Sequence, residues 1–359
     1  MKKVKHGGNI YEIAEKLGIK MEEIIDFSAN INPLGVPKRF KEALIKNIDS
    51  IENYPDPEYH QLIQAIAEKY HIPREYITVG NGATEVIFSM ISSLKPKKSM
   101  LIAPTFGEYE RALVRAGSNI QYYNLKEEND FAVEQDILKV IDESFDLVIL
   151  CNPNNPTSQL IEKNIMVKIL KHCRKNNVYL MLDEAFIDFV DEPKKETMLL
   201  YIKEYKNLFI IKALTKFYAI PGLRIGYGIT SNCRLLKSMN DHKEPWTINS
   251  YAAMAGMVLK DQIYINKSRE WIISERKAFF NELKKINKIK VYKPNGNYIL
   301  FKLLEHKTDL KEALLKNKIL IRSCSNYKNL DHSFYRIAIK DKKSNEIFIK
   351  ALKEVLYEG

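Results

Sequence analysis

The sequence predicts an α/β protein: a mostly parallel central sheet flanked by helices, with a smaller α+β domain attached. Two observations predict it. Helix-period apolar stripes alternate with short, wholly apolar runs as far as about residue 261, and the character of the chain then changes. A third observation locates the chemistry, because polar motifs stand directly after several of the apolar runs. In open parallel sheets, ligands bind beyond the carboxyl ends of the strands.

The elements follow in order. Residues 58–71 place Leu62, Ile63, Ile66, Ala67 and Tyr70 on one helical stripe. Residues 161–177 do the same with Ile165, Met166, Ile169, Leu170 and Cys173. The runs Met100 to Ala103, Leu147 to Leu150, Val178 to Leu182 and Leu208 to Ile211 lack clean alternation, which marks strands buried on both faces. From about residue 262 a long helix through Trp271 and Phe280 precedes runs at Val291, Tyr298 to Phe301, Ile319 to Arg322 and Phe334 to Ile339. The expected division is a large domain of residues 38–261 and a small domain made of residues 1–37 and 262–359.

A chain of 359 residues suits two domains sharing an interface. Apolar residues make up 45% and charged residues 28%, and no apolar stretch is long enough to cross a bilayer, so no membrane partner is expected. The N-terminus begins basic but lacks the apolar core of a signal peptide, so the expected location is the cytoplasm. Cys151, Cys173, Cys233 and Cys324 lie far apart, without metal-site spacing, and read as four buried free thiols. The net charge of +11 is dispersed among abundant acidic residues, which argues for anionic metabolites as partners rather than nucleic acid.

Three motifs follow expected strands. They are Asn152-Pro-Asn-Asn-Pro-Thr157, Asp183-Glu-Ala-Phe186 and Ala213-Leu-Thr-Lys216, the last continuing to Pro221-Gly-Leu-Arg224-Ile-Gly226. Alone, each is weak, since Asn-Pro turns, strand-end aspartates and exposed lysines are mostly structural. Their order and strand-end placement carry the signal. A fourth motif, Gly80-Asn-Gly-Ala-Thr-Glu85, is a glycine turn opening a helix with Val86, Ile87, Met90 and Ile91. Free N–H groups and the helix dipole favour an anion there, although such a turn is usually only a cap.

Taken together, these motifs resemble the class I/II aminotransferases, fold type I enzymes dependent on pyridoxal 5'-phosphate (PLP), over nearly the whole chain. The resemblance implies that Lys216 bonds covalently to the cofactor aldehyde, a reaction open to a deprotonated primary amine. Asp183 is implied to pair with the pyridine nitrogen, and Asn155 to donate to the ring's 3'-oxygen. Gly82, Ala83, Thr84 and Arg224 are implied to hold the phosphate, with Phe106 stacking on the ring. Tyr54, in Asn53-Tyr-Pro-Asp-Pro57, matches a tyrosine that reaches the cofactor of the neighbouring subunit, which implies a homodimer. Arg336, in Phe334-Tyr-Arg-Ile-Ala-Ile339, matches an arginine that clamps the substrate carboxylate in a bidentate pair.

Three segments narrow the resemblance to the threonine-phosphate decarboxylase branch associated with cobalamin biosynthesis, beside the related histidinol-phosphate aminotransferases. They are His6-Gly-Gly-Asn9, Asp26-Phe-Ser-Ala-Asn-Ile-Asn-Pro-Leu-Gly35 and Asp183-Glu-Ala-Phe-Ile-Asp-Phe189, where Phe186 takes the place of a tyrosine. Arg322, His6 and Asn32 are the further implied contacts to a small phosphorylated amino acid. The expected reaction is decarboxylation of L-threonine O-3-phosphate to aminopropanol phosphate, with transamination of histidinol phosphate as the alternative. A non-catalytic dimeric module is disfavoured, because the lysine and the aspartate are both present. Two positions depart from the pattern. Ala213 replaces a phosphate-contacting serine, a loss of about 1.5–3 kcal/mol unless another group compensates. Ser158 replaces a turn glycine, which implies a position without a positive φ.

Overall fold

The computed structural model describes residues 7–305 and 309–357. After a two-residue strand β1 (Ile25–Asp26), the chain lays down β2 (Ile77–Asn81), β3 (Lys98–Ala103), β4 (Asn119–Asn124), β5 (Leu147–Cys151), β6 (Tyr179–Asp183), β7 (Leu208–Ala213) and β8 (Ile225–Ile229). Among the described residues, strands β2 to β8 form a seven-stranded sheet in the order β2-β8-β7-β6-β5-β3-β4. All its pairings are parallel except the two made by β8, so β2 and β7 still point the same way.

Successive side chains of a strand point to opposite faces, and here both faces are covered. Leu101, Ile149, Met181 and Phe209 pack on one side with Val86, Ile87, Met90 and Ile91 of the helix Ala83–Leu94. Their neighbours Met100, Val148, Leu180 and Ile210 pack on the other side with Met166, Ile169 and Leu170 of the helix Lys163–Lys175. Continuous apolar runs are the direct consequence. The stripe expected over 58–71 is the helix His60–Tyr70, ended by His71 at φ 53°.

The long helix Gln262–Lys284 leads to β9 (Ile289–Val291), β10 (Tyr298–Leu303), β11 (Ile319–Leu320), β12 (Arg322–Ser323) and β13 (Phe334–Ala338). Strands β12-β13-β10-β9 form an antiparallel sheet, while β11 pairs in parallel with β1. The single run expected at Ile319 to Arg322 is therefore two strands in two sheets, and the step between them starts a new pairing at Arg322. One other expectation is corrected. Cys151, Cys173 and Cys324 are buried free thiols, but Cys233 is exposed, because it opens the helix Cys233–Asp241 on its solvent side. No described helix is long and apolar enough to cross a membrane.

Candidate active site

The parallel strands deliver their polar motifs to one edge of the large sheet. The register sets Cys151 opposite Asp183, Ala213 opposite Gly226 and Asn81 opposite Ile225. Beyond this edge lies a cavity of about 590 Å³ whose lining includes Gly82, Ala83, Thr84, Phe106, Asn155, Asp183, Lys216, Arg224, Arg322 and Arg336.

One corner is built for an anion. The helix Ala83–Leu94 starts after Gly82, which has φ 82° and offers no side-chain cap, so the first N–H groups lack acceptors within the helix. A Cβ on Gly82 would lie 2.7 Å from Arg224 Nη2, and one on Gly226 would lie 2.3 Å from the Ala83 nitrogen. Strand, helix start and guanidinium thus meet at a spacing that only glycine permits. Arg224 itself adopts φ 56° and donates from Nη1 to the Pro221 carbonyl at 3.1 Å.

Lys216 stands half-buried beside this corner, and its amine has no hydrogen-bond or ion-pair partner among the described residues. Burial, then the nearby charges of Arg336 and Arg224, push its pKa down to about 8. Deeper in the cavity, Asp183 is buried and accepts hydrogen bonds from the Tyr109 hydroxyl (2.6 Å) and the Ala185 N–H (2.8 Å). Burial raises its pKa, and these two donors oppose the shift.

The opposite wall comes from the antiparallel sheet and the N-terminal segment. Arg336, on β13, donates from Nη1 to Asn155 Oδ1 (2.6 Å) and from Nη2 to the Ser28 carbonyl (2.7 Å). The Tyr327 hydroxyl donates to the same Asn155 oxygen at 3.3 Å. Both contacts fall on Oδ1, so the Asn155 amide nitrogen stays available as a donor. Two buried polar atoms of the lining, Arg336 Nε and Asn30 Oδ1, have no partner among the described residues. Arg322 donates from Nη2 to Asn326 Oδ1 at 2.7 Å, with its guanidinium carbon 5.4 Å from the Tyr327 ring centre.

Two expected residues are not brought to this lining, and a third falls outside the described residues. Asn32 is buried behind it, where its N–H donates to the Lys216 carbonyl (3.1 Å) and its amide to Phe217 O and Ser268 Oγ (both 2.8 Å). It braces the lysine segment, and its polar groups are already used inside the protein. Tyr54 is 81% exposed and packs against Trp246 with ring centres 4.7 Å apart and the rings tilted by 35°. His6 lies outside the described residues, although Gly7, next in the chain, lines the cavity.

Ser158 is a correction: its φ is 63°, so the turn does require the left-handed region. The serine is held there because its hydroxyl accepts from the N–H groups of Gly296 (2.8 Å) and Asn295 (3.2 Å). Ala213 lines the cavity as expected, and so does Thr215, whose hydroxyl has no partner among the described residues. Thr215, Tyr109 and Tyr327 escaped the sequence reading. A signal existed for Tyr109, which follows Phe106 by one helical turn; Tyr327 had none.

The family described as Aminotransferase class I and II matches residues 22–352. Over 352 residues the chain is 42% identical to the threonine-phosphate decarboxylase of Salmonella typhimurium, covering 98% of this chain and 96% of that protein. The crystal structure of the histidinol-phosphate aminotransferase from Clostridium acetobutylicum superimposes with a TM-score of 0.86 at 39% identity, covering 92% of this chain and 98% of that one. That of L-threonine-O-3-phosphate decarboxylase from Porphyromonas gingivalis does so with a TM-score of 0.82 at 27% identity, with the same coverage.

Proposed function

The chain belongs to the aminotransferase class I and II family, and on that premise we propose that it decarboxylates L-threonine O-3-phosphate to aminopropanol phosphate. It is an enzyme of a family whose cofactor is PLP. The residues present fit that cofactor. The uncapped helix start beside Arg224 suits a phosphate, Asp183 suits a protonated ring nitrogen, and an unpartnered amine of lowered proton affinity suits an aldehyde. When bound, PLP supplies an electron sink for the electron pair left at a substrate Cα.

The chain's own residues then divide the work. Lys216 Nζ holds the cofactor and afterwards delivers a proton to Cα. Asp183 keeps a proton on the ring nitrogen, Phe106 covers the ring, and Asn155 Nδ2 donates to the 3'-oxygen. Gly82, Ala83, Thr84 and Arg224 hold the cofactor phosphate, and Thr215 supplies a hydroxyl in the corner where Ala213 lacks one. Arg336 takes the substrate carboxylate, for which its unpartnered Nε is a ready donor. Arg322, with His6, takes the substrate phosphate; Asn32 acts by bracing the Lys216 backbone. Fixing both anionic ends would hold the substrate Cα in one orientation and so select which of its bonds is poised to break.

The observation that carries this reading is the end-to-end similarity to a threonine-phosphate decarboxylase. The likeness to a histidinol-phosphate aminotransferase structure favours transamination as the second reading. The deciding assay sets threonine phosphate alone against histidinol phosphate with 2-oxoglutarate. Release of CO2 and aminopropanol phosphate from the first is expected; glutamate from the second, without CO2 from the first, overturns the proposal.

The same reading makes the protein a cytoplasmic homodimer of two-domain subunits. The division at residues 38–261 is supported by the large sheet lying wholly inside it and by β1 pairing with β11. Dimerisation is supported by exposed Ile48 and Ile51 of the 3-10 helix Ile48–Glu52 and by the exposed pair of Tyr54, which follows that helix in the chain, and Trp246. Unbridged cysteines suit a reducing compartment.

A further inference from the structure

We infer that Tyr109 is a positioning residue that keeps the Asp183 carboxylate ionised and aimed at the cofactor's ring nitrogen, an inference that rests on the role proposed above for Asp183. Asp183 is 4% exposed and has no direct ion pair among the described residues. Lys212 on the adjacent strand, whose charge favours the ionised Asp183, is spent on Glu184 at 3.0 Å. Two neutral donors therefore hold the charge. The Ala185 N–H fixes Oδ1 from the aspartate's own turn, and the Tyr109 hydroxyl fixes Oδ2 from another element, across 74 residues of sequence.

A buried carboxylate that loses a donor takes up a proton, and a neutral acid is a poor partner for a pyridinium. Tyr109 thus decides on which side of the Asp183-to-nitrogen contact the proton rests. The remaining charged or titratable groups facing Asp183 are Glu184, Lys212, Cys151 and Tyr298. Burial holds Cys151 and Tyr298 neutral, and Glu184 and Lys212 offset each other. The hydroxyl also meets the Cys151 thiol, which fixes it from the strand next to Asp183. Tyr109 packs edge-on against Phe106 at 5.5 Å, so one turn of the helix Gly107–Arg115 serves both the ring face and the carboxylate.

The test is Tyr109→Phe, which keeps the ring and its packing and removes the hydroxyl alone. The holoenzyme carries PLP labelled with 15N in the ring, and Asp183→Asn is prepared in parallel. Expected are a ring-nitrogen resonance moved toward the unprotonated value and PLP affinity reduced about tenfold to a hundredfold, the size of a lost hydrogen bond to a charged group. A purely structural tyrosine would lower the melting temperature and leave the resonance in place, and that result overturns the inference. Loss of ring protonation in Asp183→Asn without any change in Tyr109→Phe sinks the Tyr109 inference only. A ring that stays protonated in Asp183→Asn sinks the role of Asp183 itself.

Discussion

Lys216 illustrates how a single side chain acquires its chemistry from its surroundings. Burial and two arginines, with no carboxylate bonded to the amine, bring its pKa down to about 8. At pH 7 about a tenth of such an amine is neutral, against roughly one part in three thousand for an unperturbed lysine. Only the neutral amine attacks an aldehyde, and lowering the pKa enlarges that fraction at every pH below it. Capture of PLP by the apo-protein should therefore accelerate as pH rises through about 8 and level off above, read as the rate of appearance of visible absorbance. Lys216→Ala should abolish the borohydride-reducible link while leaving the fold intact; a link that persists would refute the assignment. The lysine was legible in the sequence because its motif is local. Its setting was not, since Arg336 lies 120 positions further along the chain.

At the scale of elements, the decisive contact is between the start of the helix Ala83–Leu94 and β8. Gly226 lets the two backbones touch, and a methyl group there would meet the Ala83 nitrogen at 2.3 Å. Gly226→Ala should destabilise the protein by about 1–3 kcal/mol, as overpacking does, and should weaken PLP binding by displacing the phosphate corner. Gly222→Ala, where a Cβ meets nothing within 4 Å, should be near neutral in both. Denaturant midpoints and PLP titrations on the two variants check this, and equal effects would refute it. Strands β5, β6 and β7 were readable as apolar runs because both their faces are covered. Strand β4 was not, for at the sheet edge none of its residues Asn119–Asn124 is buried and it has no apolar run. Nor was the requirement for a left-handed residue at Ser158, which is met by a hydroxyl bonded to a segment 137 and 138 residues away.

At the scale of the whole molecule, Tyr54 stands apart from the cavity of its own subunit, exposed and packed against Trp246. In a homodimer with shared sites, mixing inactive Tyr54→Ala with inactive Lys216→Ala should restore activity, because one site in the mixed dimer receives both intact residues. If the subunits exchange and no activity returns, the shared site is excluded. The architecture also explains why both chain ends matter to one cavity. Strand β1 pairs with β11, and Arg336 bonds to the Ser28 carbonyl across 308 residues, so the N-terminal segment closes the wall that carries Arg322 and Arg336.

The sequence by itself determined the layered α/β architecture, the covalent lysine candidate and the glycine turn that opens the helix Ala83–Leu94. The apolar runs, the helical stripes and the glycine turn are local, where side-chain periodicity and turn chemistry act, and the lysine was implied by the resemblance of its motif to the family's. Only the tertiary structure decided which of these residues meet. Asn155 and Arg336 are joined over 181 residues, and Tyr109 reaches Asp183 from a different helix. It also removed Asn32 from the lining and made it a brace behind Lys216. The physical reason is that hydrogen bonds and burial depend on distance in space, which the sheet register sets and linear spacing does not record.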